Sequence, residues 1–159
     1  MSPKTMTPLS LRRLTEGERD LAAEVFGGGI DAARVWIFAI PVWDRAFVAG
    51  SRLMVWPVTA ARADFADPAT PLDDQATFVH ELTHVWQAQH GVWLPMAKIR
   101  AGDSAAAYAY DLDHGPRFAA MNIEQQAMVV EDAFRLSRGG VAPHPATLYA
   151  AASVHWRLA

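Results

Sequence analysis

Cysteine is absent from this sequence of 159 residues. Its absence excludes disulfide cross-links, thiolate metal sites and cysteine nucleophiles. The chain also lacks any run of Lys or Arg, and its formal net charge is −3. We therefore expect neither a nucleic acid nor an anionic membrane as a partner.

Long apolar stretches are missing as well. None approaches the roughly 18 consecutive apolar residues that a membrane-spanning helix needs. Residues 1–14 contain Lys4, Arg12 and Arg13 but no apolar core between them, unlike a Sec signal peptide. On these grounds we expect a cytoplasmic protein by default, and export by a non-Sec route stays open.

The composition is that of a globular protein. Hydrophobic residues make up 52% of the chain and charged residues 19%, unlike the polar composition of disordered chains. The length fits one domain that can bury a core without a metal or disulfides. We predict a flexible lead-in over residues 1–14 and a single domain over residues 15–159.

The pattern of helix and strand signals predicts an α+β fold with a small N-terminal sheet. Thr15 begins the first helix, because its hydroxyl and the carboxylate of Glu18 can form a capping box. Residues 34–39 and 52–56 are rich in β-branched and aromatic side chains, so we predict two strands there, joined by an irregular hairpin or loop. The remaining predicted elements are a helix over residues 70–90, a short strand over 108–112, a long helix over 116–137 and a C-terminal helix over 145–158.

The segment His80-Glu81-Leu82-Thr83-His84 places two histidines four residues apart within a predicted helix. Residues at this spacing lie one turn apart on the same helix face. Both imidazoles can therefore bind one Zn²⁺. The carboxylate of Glu81 lies beside that face and can take a proton from a water that the zinc activates, which predicts a general base.

A catalytic zinc usually has a third protein ligand. The extended metzincin pattern is absent, so we look to a carboxylate from the predicted helix over residues 116–137. Glu131 can pair there with Arg135 one turn later, which leaves Glu124 free and makes it the favoured third ligand. The remaining candidates for this ligand are, in order, Glu131, Asp113 and His114.

Aromatic residues offer further candidates. Tyr108 and Tyr110 lie between the predicted motif helix and ligand helix, and either hydroxyl can donate to the oxyanion of a tetrahedral intermediate. We name Tyr110 as the candidate catalytic residue; the alternative is that both tyrosines only pack a strand. Trp43 and Trp93 fall in predicted loops, where a peptide-binding or partner-binding surface is the alternative to packing.

Two segments resemble a known family: residues 80–87 (His-Glu-Leu-Thr-His-Val-Trp-Gln) and residues 122–127 (Asn-Ile-Glu-Gln-Gln-Ala). They are similar to a bacterial family of zincin-like metallopeptidase-type proteins, often described as Vgr-related or linked to contractile injection and toxin systems. The resemblance covers roughly residues 14–137. It implies a zincin-like α+β fold with His80, His84 and Glu124 as zinc ligands and Glu81 as the base.

One position departs from the pattern of thermolysin-like gluzincins. Those enzymes have an Asp four residues after the ligand Glu, where it orients a ligand histidine, but this chain has Met128 at that position. Such outer partners fix the tautomer and the orientation of a metal-binding imidazole. The candidates for this role elsewhere in the chain are Asp132, Asp113 and Asp111.

These patterns together predict a zinc-dependent metallopeptidase-type hydrolase that acts on a peptide or protein. The alternative, from a different class, is a catalytically inactive zinc-binding accessory or interaction module of a bacterial secretion or toxin system, with a protein partner from that system. A third hypothesis is a helical binding domain that holds no metal.

Overall fold

In the computed structural model, which describes residues 3–157, four strands form one mixed sheet with the order β1-β2-β4-β3. The strands are β1 (Leu11–Arg13), β2 (Trp36–Ile40), β3 (Phe47–Ala49) and β4 (Leu53–Pro57). β1 pairs antiparallel with β2, β2 pairs parallel with β4, and β3 pairs antiparallel with β4. β1 and β3 are therefore the edges of the sheet.

The predicted strands over residues 34–39 and 52–56 overlap β2 and β4. Of the two connections predicted between them, an irregular hairpin or a loop, the hairpin is wrong. β2 and β4 run parallel, so a hairpin cannot join them. The chain first crosses to the sheet edge as β3 and then turns back into β4 at Gly50, which has a φ of +67°. Glycine adopts this left-handed conformation without a steric penalty.

The prediction of a flexible lead-in over residues 1–14 is wrong for its described part. Leu11–Arg13 forms an edge strand, Thr5 forms an isolated bridge with Arg62, and Met6 is buried in the core. These pairings with distant segments hold the chain, and a local sequence pattern does not contain them. Residues 1 and 2 lie outside the described residues.

The described part of the chain also contains six α-helices. They are α1 (Glu16–Phe26), α2 (Leu72–Gln89), α3 (Leu94–Ala101), α4 (Ala105–Tyr108), α5 (Ile123–Ser137) and α6 (Ala146–Ala152). α2 packs against β3 and β4 and also against α5, so it crosses the core between the sheet and the second long helix. No helix among residues 3–157 is both long and apolar enough to span a bilayer.

The long helix predicted over residues 116–137 begins later than predicted, at Ile123. Asn122 accepts a hydrogen bond from the backbone of Gln125, whose side chain accepts one from the backbone of Asn122 in return. This capping box starts the helix. Phe118–Ala120 forms a separate 3₁₀ turn.

Two other predicted elements differ from the structure. Residues 108–112, predicted as a strand, form the end of α4 and an irregular segment. The predicted last helix ends at Ala152 and continues as the 3₁₀ turn Ser153–His155. Its predicted final residue, Leu158, lies outside the described residues. The zincin-like assignment of the whole architecture stays a prediction.

Candidate metal centre and active site

α2 carries the His-Glu-x-x-His motif through the middle of the molecule. Phe78, Leu82 and Val85 on this helix are fully buried in the core. Because apolar residues at this spacing cover one side of a helix, His80 and His84 face away from the sheet and towards α5. Both imidazoles are buried.

Glu124, in the first turn of α5, lies against both imidazoles. Its Oε2 is 3.1 Å from Nε2 of His80 and 3.3 Å from Nε2 of His84. These three side chains each offer a ligand atom within 4.8 Å of the others. Two imidazoles and one carboxylate are the donor set of many catalytic zinc sites, so the residues present fit such an ion.

The ring orientation of His80 is set by Glu131. Nδ1 of His80 lies 3.0 Å from Oε2 of Glu131, and the other oxygen of that carboxylate accepts hydrogen bonds from Nε and Nη2 of Arg135 at 3.1 and 2.9 Å. An ionised carboxylate only accepts hydrogen bonds. Nδ1 of His80 must therefore carry a proton, and Nε2 is the atom left for a metal.

The orientation of His84 is set by Gln87, whose Oε1 lies 2.8 Å from Nδ1 of that ring. The amide nitrogen of Gln87 donates to the carbonyl of Ile123 at 2.9 Å and to Oε1 of Gln126 at 3.0 Å. Since the nitrogen has these two acceptors, the oxygen faces the ring and Nδ1 of His84 donates to it. Nε2 of His84 is again the atom that faces Glu124.

The sequence prediction named other carboxylates for this orienting role, and the structure corrects it. Asp132 accepts a hydrogen bond from Tyr110. Asp111 and Asp113 lie at the surface, each with an oxygen 3.7 Å from Nδ1 of the exposed His114. The remaining candidates for the third ligand, Asp113 and His114, are thereby also placed outside the group of buried ligand atoms.

Charge is concentrated at this centre. Burial opposes protonation of His80, but the hydrogen bonds to Glu124 and Glu131 outweigh it and raise the pKa of the imidazole to about 10. Burial raises the pKa of the Glu124 carboxyl, and the hydrogen bonds from His80 and His84 more than reverse this and lower it. In the metal-free protein an imidazolium therefore lies between two carboxylates, and a divalent cation must displace its proton.

Lys98 of α3 is a third partner of Glu124. Its Nζ donates to Oε1 of Glu124 at 2.5 Å, to Asp103 at 3.0 Å and to the hydroxyl of Tyr108 at 3.1 Å. The three protons of the ammonium are thus all used. The role of Lys98 was not predictable from the sequence, because a cation on a separate helix has no local signal. The role of Gln87 was not predicted either, although this polar residue lies about one turn after His84 in the sequence.

Glu81 differs from the other carboxylates of the centre. Its Oε2 is buried and has no hydrogen-bond partner among residues 3–157. A buried oxygen without a partner is costly unless a water or a substrate supplies one. This oxygen fits a group that takes a proton from a water in the site.

The centre lies at the base of an open cleft of about 830 Å³. Such a volume is in the range of small-molecule and peptide sites and far exceeds the space of one ion and one water. The charged and polar residues that line it are Asp44, Arg45, Thr77, His80, Glu81, His84, Lys98, Asp103, Tyr108, Glu124 and Glu131. Part of the apolar lining comes from β3 and the segment before it, and the rest comes from β4, α3, α5 and the segment after β4.

Tyr110, the predicted catalytic tyrosine, does not line this cleft. Its hydroxyl lies 2.5 Å from both Asp132 and the hydroxyl of Tyr149, where it links α5 to α6. Burial and the hydrogen bond to Asp132 raise the pKa of Tyr110. The structure therefore gives Tyr110 a packing position and corrects its assignment to catalysis.

Tyr108 is the tyrosine that lines the cleft. Its ring stacks at 6.2 Å from the ring of His80, and its hydroxyl oxygen accepts hydrogen bonds from Arg45 at 3.0 Å and from Lys98. Arg and Lys side chains only donate. The proton of the Tyr108 hydroxyl therefore remains for another acceptor, such as a carbonyl oxygen in the cleft.

No protein-family model matches this chain. Comparisons with individual proteins and solved structures show that it is similar to a protein of a secretion system. It is 34% identical over 133 residues to the type VI secretion system spike protein VgrG2b of Pseudomonas aeruginosa, an alignment that covers 77% of this chain and only 13% of the spike protein. The solved effector domain of Pseudomonas aeruginosa VgrG2b matches with a TM-score of 0.63 and 29% identity, over 97% of this chain and 84% of that domain. The chain is therefore homologous to the effector domain of VgrG2b, a protein of the type VI secretion system.

Proposed function

We propose that this chain is a secretion-system-associated effector whose cleft holds a zinc ion and hydrolyses peptide bonds. The homology to an effector domain supports the first part of this statement. The second part rests on one observation. Ligand atoms of His80, His84 and Glu124 lie within 4.8 Å of one another, and Glu81, which lines the same cleft, has a buried oxygen with no partner among the described residues.

In this proposal, metal binding, proton transfer and hydrogen-bond donation to the substrate are carried out by different side chains of the cleft. His80, His84 and Glu124 would hold the ion, which supplies a Lewis acid that activates water and polarises the peptide carbonyl. Glu81 takes the proton of the attacking water and later delivers it to the leaving amine. Tyr108 directs its free hydroxyl proton at the carbonyl oxygen as that oxygen gains charge.

The supporting residues keep these groups in place. Glu131 and Gln87 hold the two imidazoles with Nδ1 protonated, so that the coordinating nitrogens need no rearrangement when a metal binds. Lys98 holds one oxygen of Glu124, which leaves the other for the ion. We also propose a protein of the secretion machinery as a partner and export by a non-Sec route.

The second candidate function is a catalytically inactive zinc-binding module of the same kind of secretion system. The comparisons favour it in one respect, because the names of the matching proteins describe a spike protein and an effector domain and mention no peptidase. In such a module the zinc would have only a structural role and would hold α2 and α5 together. A hydrolase and a module both predict bound zinc, so metal content does not separate them.

Glu81→Gln separates the two functions. We expect purified wild-type protein to contain about one zinc per chain and to cleave members of a broad peptide library, as measured by mass spectrometry. The variant should keep its zinc and lose at least about 100-fold in cleavage rate, because a general base contributes roughly this much.

His84→Ala is the matched control for the metal, and it should lose both zinc and cleavage. Wild-type protein that binds zinc but cleaves no library peptide would leave the module as the function. Wild-type protein that binds no divalent metal would exclude both functions.

A further inference from the structure

Trp43, at the mouth of the cleft, has an unusual backbone conformation. Its φ is +90°, in the left-handed region that residues with a Cβ rarely adopt, and it is one of two non-glycine residues with positive φ in the described chain. A bulky residue held there stores strain, and such positions concentrate at binding and catalytic sites. Packing does not account for the residue, because its side chain is 68% exposed.

The side chain of Trp43 has one clear partner, Phe47. The two rings meet edge to face, with centroids 6.4 Å apart and an interplanar angle of 70°. Phe47 is itself 41% exposed, although it lies in a strand of the sheet. The two large aromatic side chains thus pack against each other while both remain partly exposed to solvent.

This aromatic pair belongs to the same cleft as the candidate metal centre. Trp43 and Phe47 both line it together with His80 and Glu81. Further apolar lining residues continue the surface inwards, namely Val48, Pro57, Leu94, Pro95, Ile123 and Met128. An apolar group bound against the pair would therefore occupy the same cleft as the reacting centre.

We propose that Trp43 and Phe47 form a subsite that selects a large apolar side chain, aromatic or branched aliphatic, next to the peptide bond that is cleaved. The inference rests on the proposed function, because it concerns the substrate of the same cleft. Burying such a side chain removes apolar surface of all three groups from water. That gain would offset the cost of holding a strained residue with an exposed indole at the mouth of the cleft.

Trp43→Gly tests the subsite without harming the fold. Glycine adopts a φ of +90° without a steric penalty, so the variant should unfold at a temperature equal to or above that of the wild-type protein. It removes the indole and most of the edge-to-face contact. A merely structural Trp43 would instead give a less stable protein when removed.

The readout is cleavage of short blocked peptides that differ at one position beside the cleaved bond. We expect the wild-type protein to prefer Phe or Leu over Ala at that position by at least about tenfold in kcat/KM, since pockets discriminate by this much through apolar contact. In Trp43→Gly the preference should fall to within about threefold of unity.

Two further variants act as matched controls. Trp43→Phe keeps an aromatic surface at the strained position and should keep part of the preference. Trp93→Ala removes a tryptophan that is equally exposed, at 68%, but does not line the cleft, and it should leave the preference intact. An apolar preference that survives in Trp43→Gly would overturn the subsite and leave the proposed hydrolysis standing.

A different result would show failure of the proposed hydrolysis itself. If no form of the protein cleaves any peptide, the subsite is tested by binding instead. Calorimetry would then measure the affinity of zinc-loaded wild-type protein and of zinc-loaded Trp43→Gly for the blocked Phe peptide. Binding at least about tenfold weaker in Trp43→Gly would retain it as a site for apolar peptides. Equal binding, or none in either protein, would overturn it.

Discussion

The ammonium of Lys98 lies 2.5 Å from Oε1 of Glu124, the carboxylate whose Oε2 contacts both imidazoles of the candidate metal centre. One carboxylate thus connects a permanent cation to the place where a second cation would bind. Because the ammonium holds one oxygen, Glu124 can offer only the other to a metal. Lys98 also neutralises charge that would otherwise attract the metal.

Lys98→Met should tighten zinc binding. A monovalent and a divalent cation on one carboxylate repel each other by several kcal/mol at the effective dielectric constant of a protein site. Loss of an orienting partner weakens metal binding by about 10–100-fold, which is a smaller effect. We therefore expect the dissociation constant for zinc, measured by competition with a chelator, to fall by at least about tenfold.

Lys98→Arg is the charge-preserving control for this measurement. It should keep the dissociation constant within about threefold of the wild-type value, because the positive charge stays near Glu124. Weaker zinc binding in Lys98→Met than in the wild-type protein would show that Lys98 acts by orienting Glu124 and not by opposing the metal.

Glu131→Gln should weaken zinc binding, although it changes only one atom. Arg135 keeps its acceptor oxygen, so the new amide nitrogen faces Nδ1 of His80. That nitrogen donates, and the ring must then accept at Nδ1 and carry its proton on Nε2. Since Nε2 is the coordinating atom, we expect zinc affinity to fall by about 10–100-fold in the same chelator competition.

Glu24→Gln is the matched control, because Glu24 also pairs with an arginine, Arg138, but at the surface and far from the motif in the chain. Its zinc affinity should equal that of the wild-type protein. Unchanged affinity in Glu131→Gln would show that Glu131 does not set the tautomer of His80.

The ligand set was predictable because its main part is local. The spacing of His80 and His84 places both rings on one helix face. Glu124 was favoured because Arg135 engages Glu131, and the structure contains that pair. The pairing was only half of the role of Glu131, since its second oxygen contacts a residue 51 positions away in the chain. A one-dimensional pattern does not contain such a contact.

The sheet shows the same limit. β2 and β4 carry strong local signals from β-branched and aromatic residues, and the predicted strands overlap them. β1 and β3 have three residues each, and they exist as strands because their neighbours offer backbone partners. The parallel pairing of β2 with β4 likewise depends on β3 lying at the edge. This parallel pairing is determined by the tertiary structure and not by the β-propensity of the residues in the two strands.

Tyr108→Phe and Tyr110→Phe should affect different properties, the first the catalytic rate and the second the stability. Removing the Tyr108 hydroxyl deletes the proposed donor to the carbonyl oxygen, so kcat should fall by about 100-fold or more with little change in KM. Removing the Tyr110 hydroxyl leaves Asp132 without its partner, so the free energy of unfolding should fall by about 1–3 kcal/mol. Its kcat should stay close to the wild-type value. The reverse pattern, with kcat lost only in Tyr110→Phe, would return the catalytic role to Tyr110.

The stability of the metal-free protein should decrease at alkaline pH because of His80. Its pKa is about 10 in the folded protein against a usual value of 6.5. A raised pKa adds stability that is fully present below about 6.5 and is lost as the pH rises towards 10. We expect the free energy of unfolding of chelator-treated protein to fall over this window, by an amount on the order of a few kcal/mol.

His80→Gln isolates this contribution, because an amide can bond to Glu124 and Glu131 but does not titrate. The difference in unfolding free energy between wild-type protein and this variant, measured with urea from pH 6 to pH 10, should shrink steadily. Zinc should act in the opposite sense. Its binding removes the proton of His80, so the stabilisation of the wild-type protein by zinc should grow with pH over the same window. Parallel curves for the metal-free wild-type protein and the variant would show that the imidazolium does not stabilise the fold.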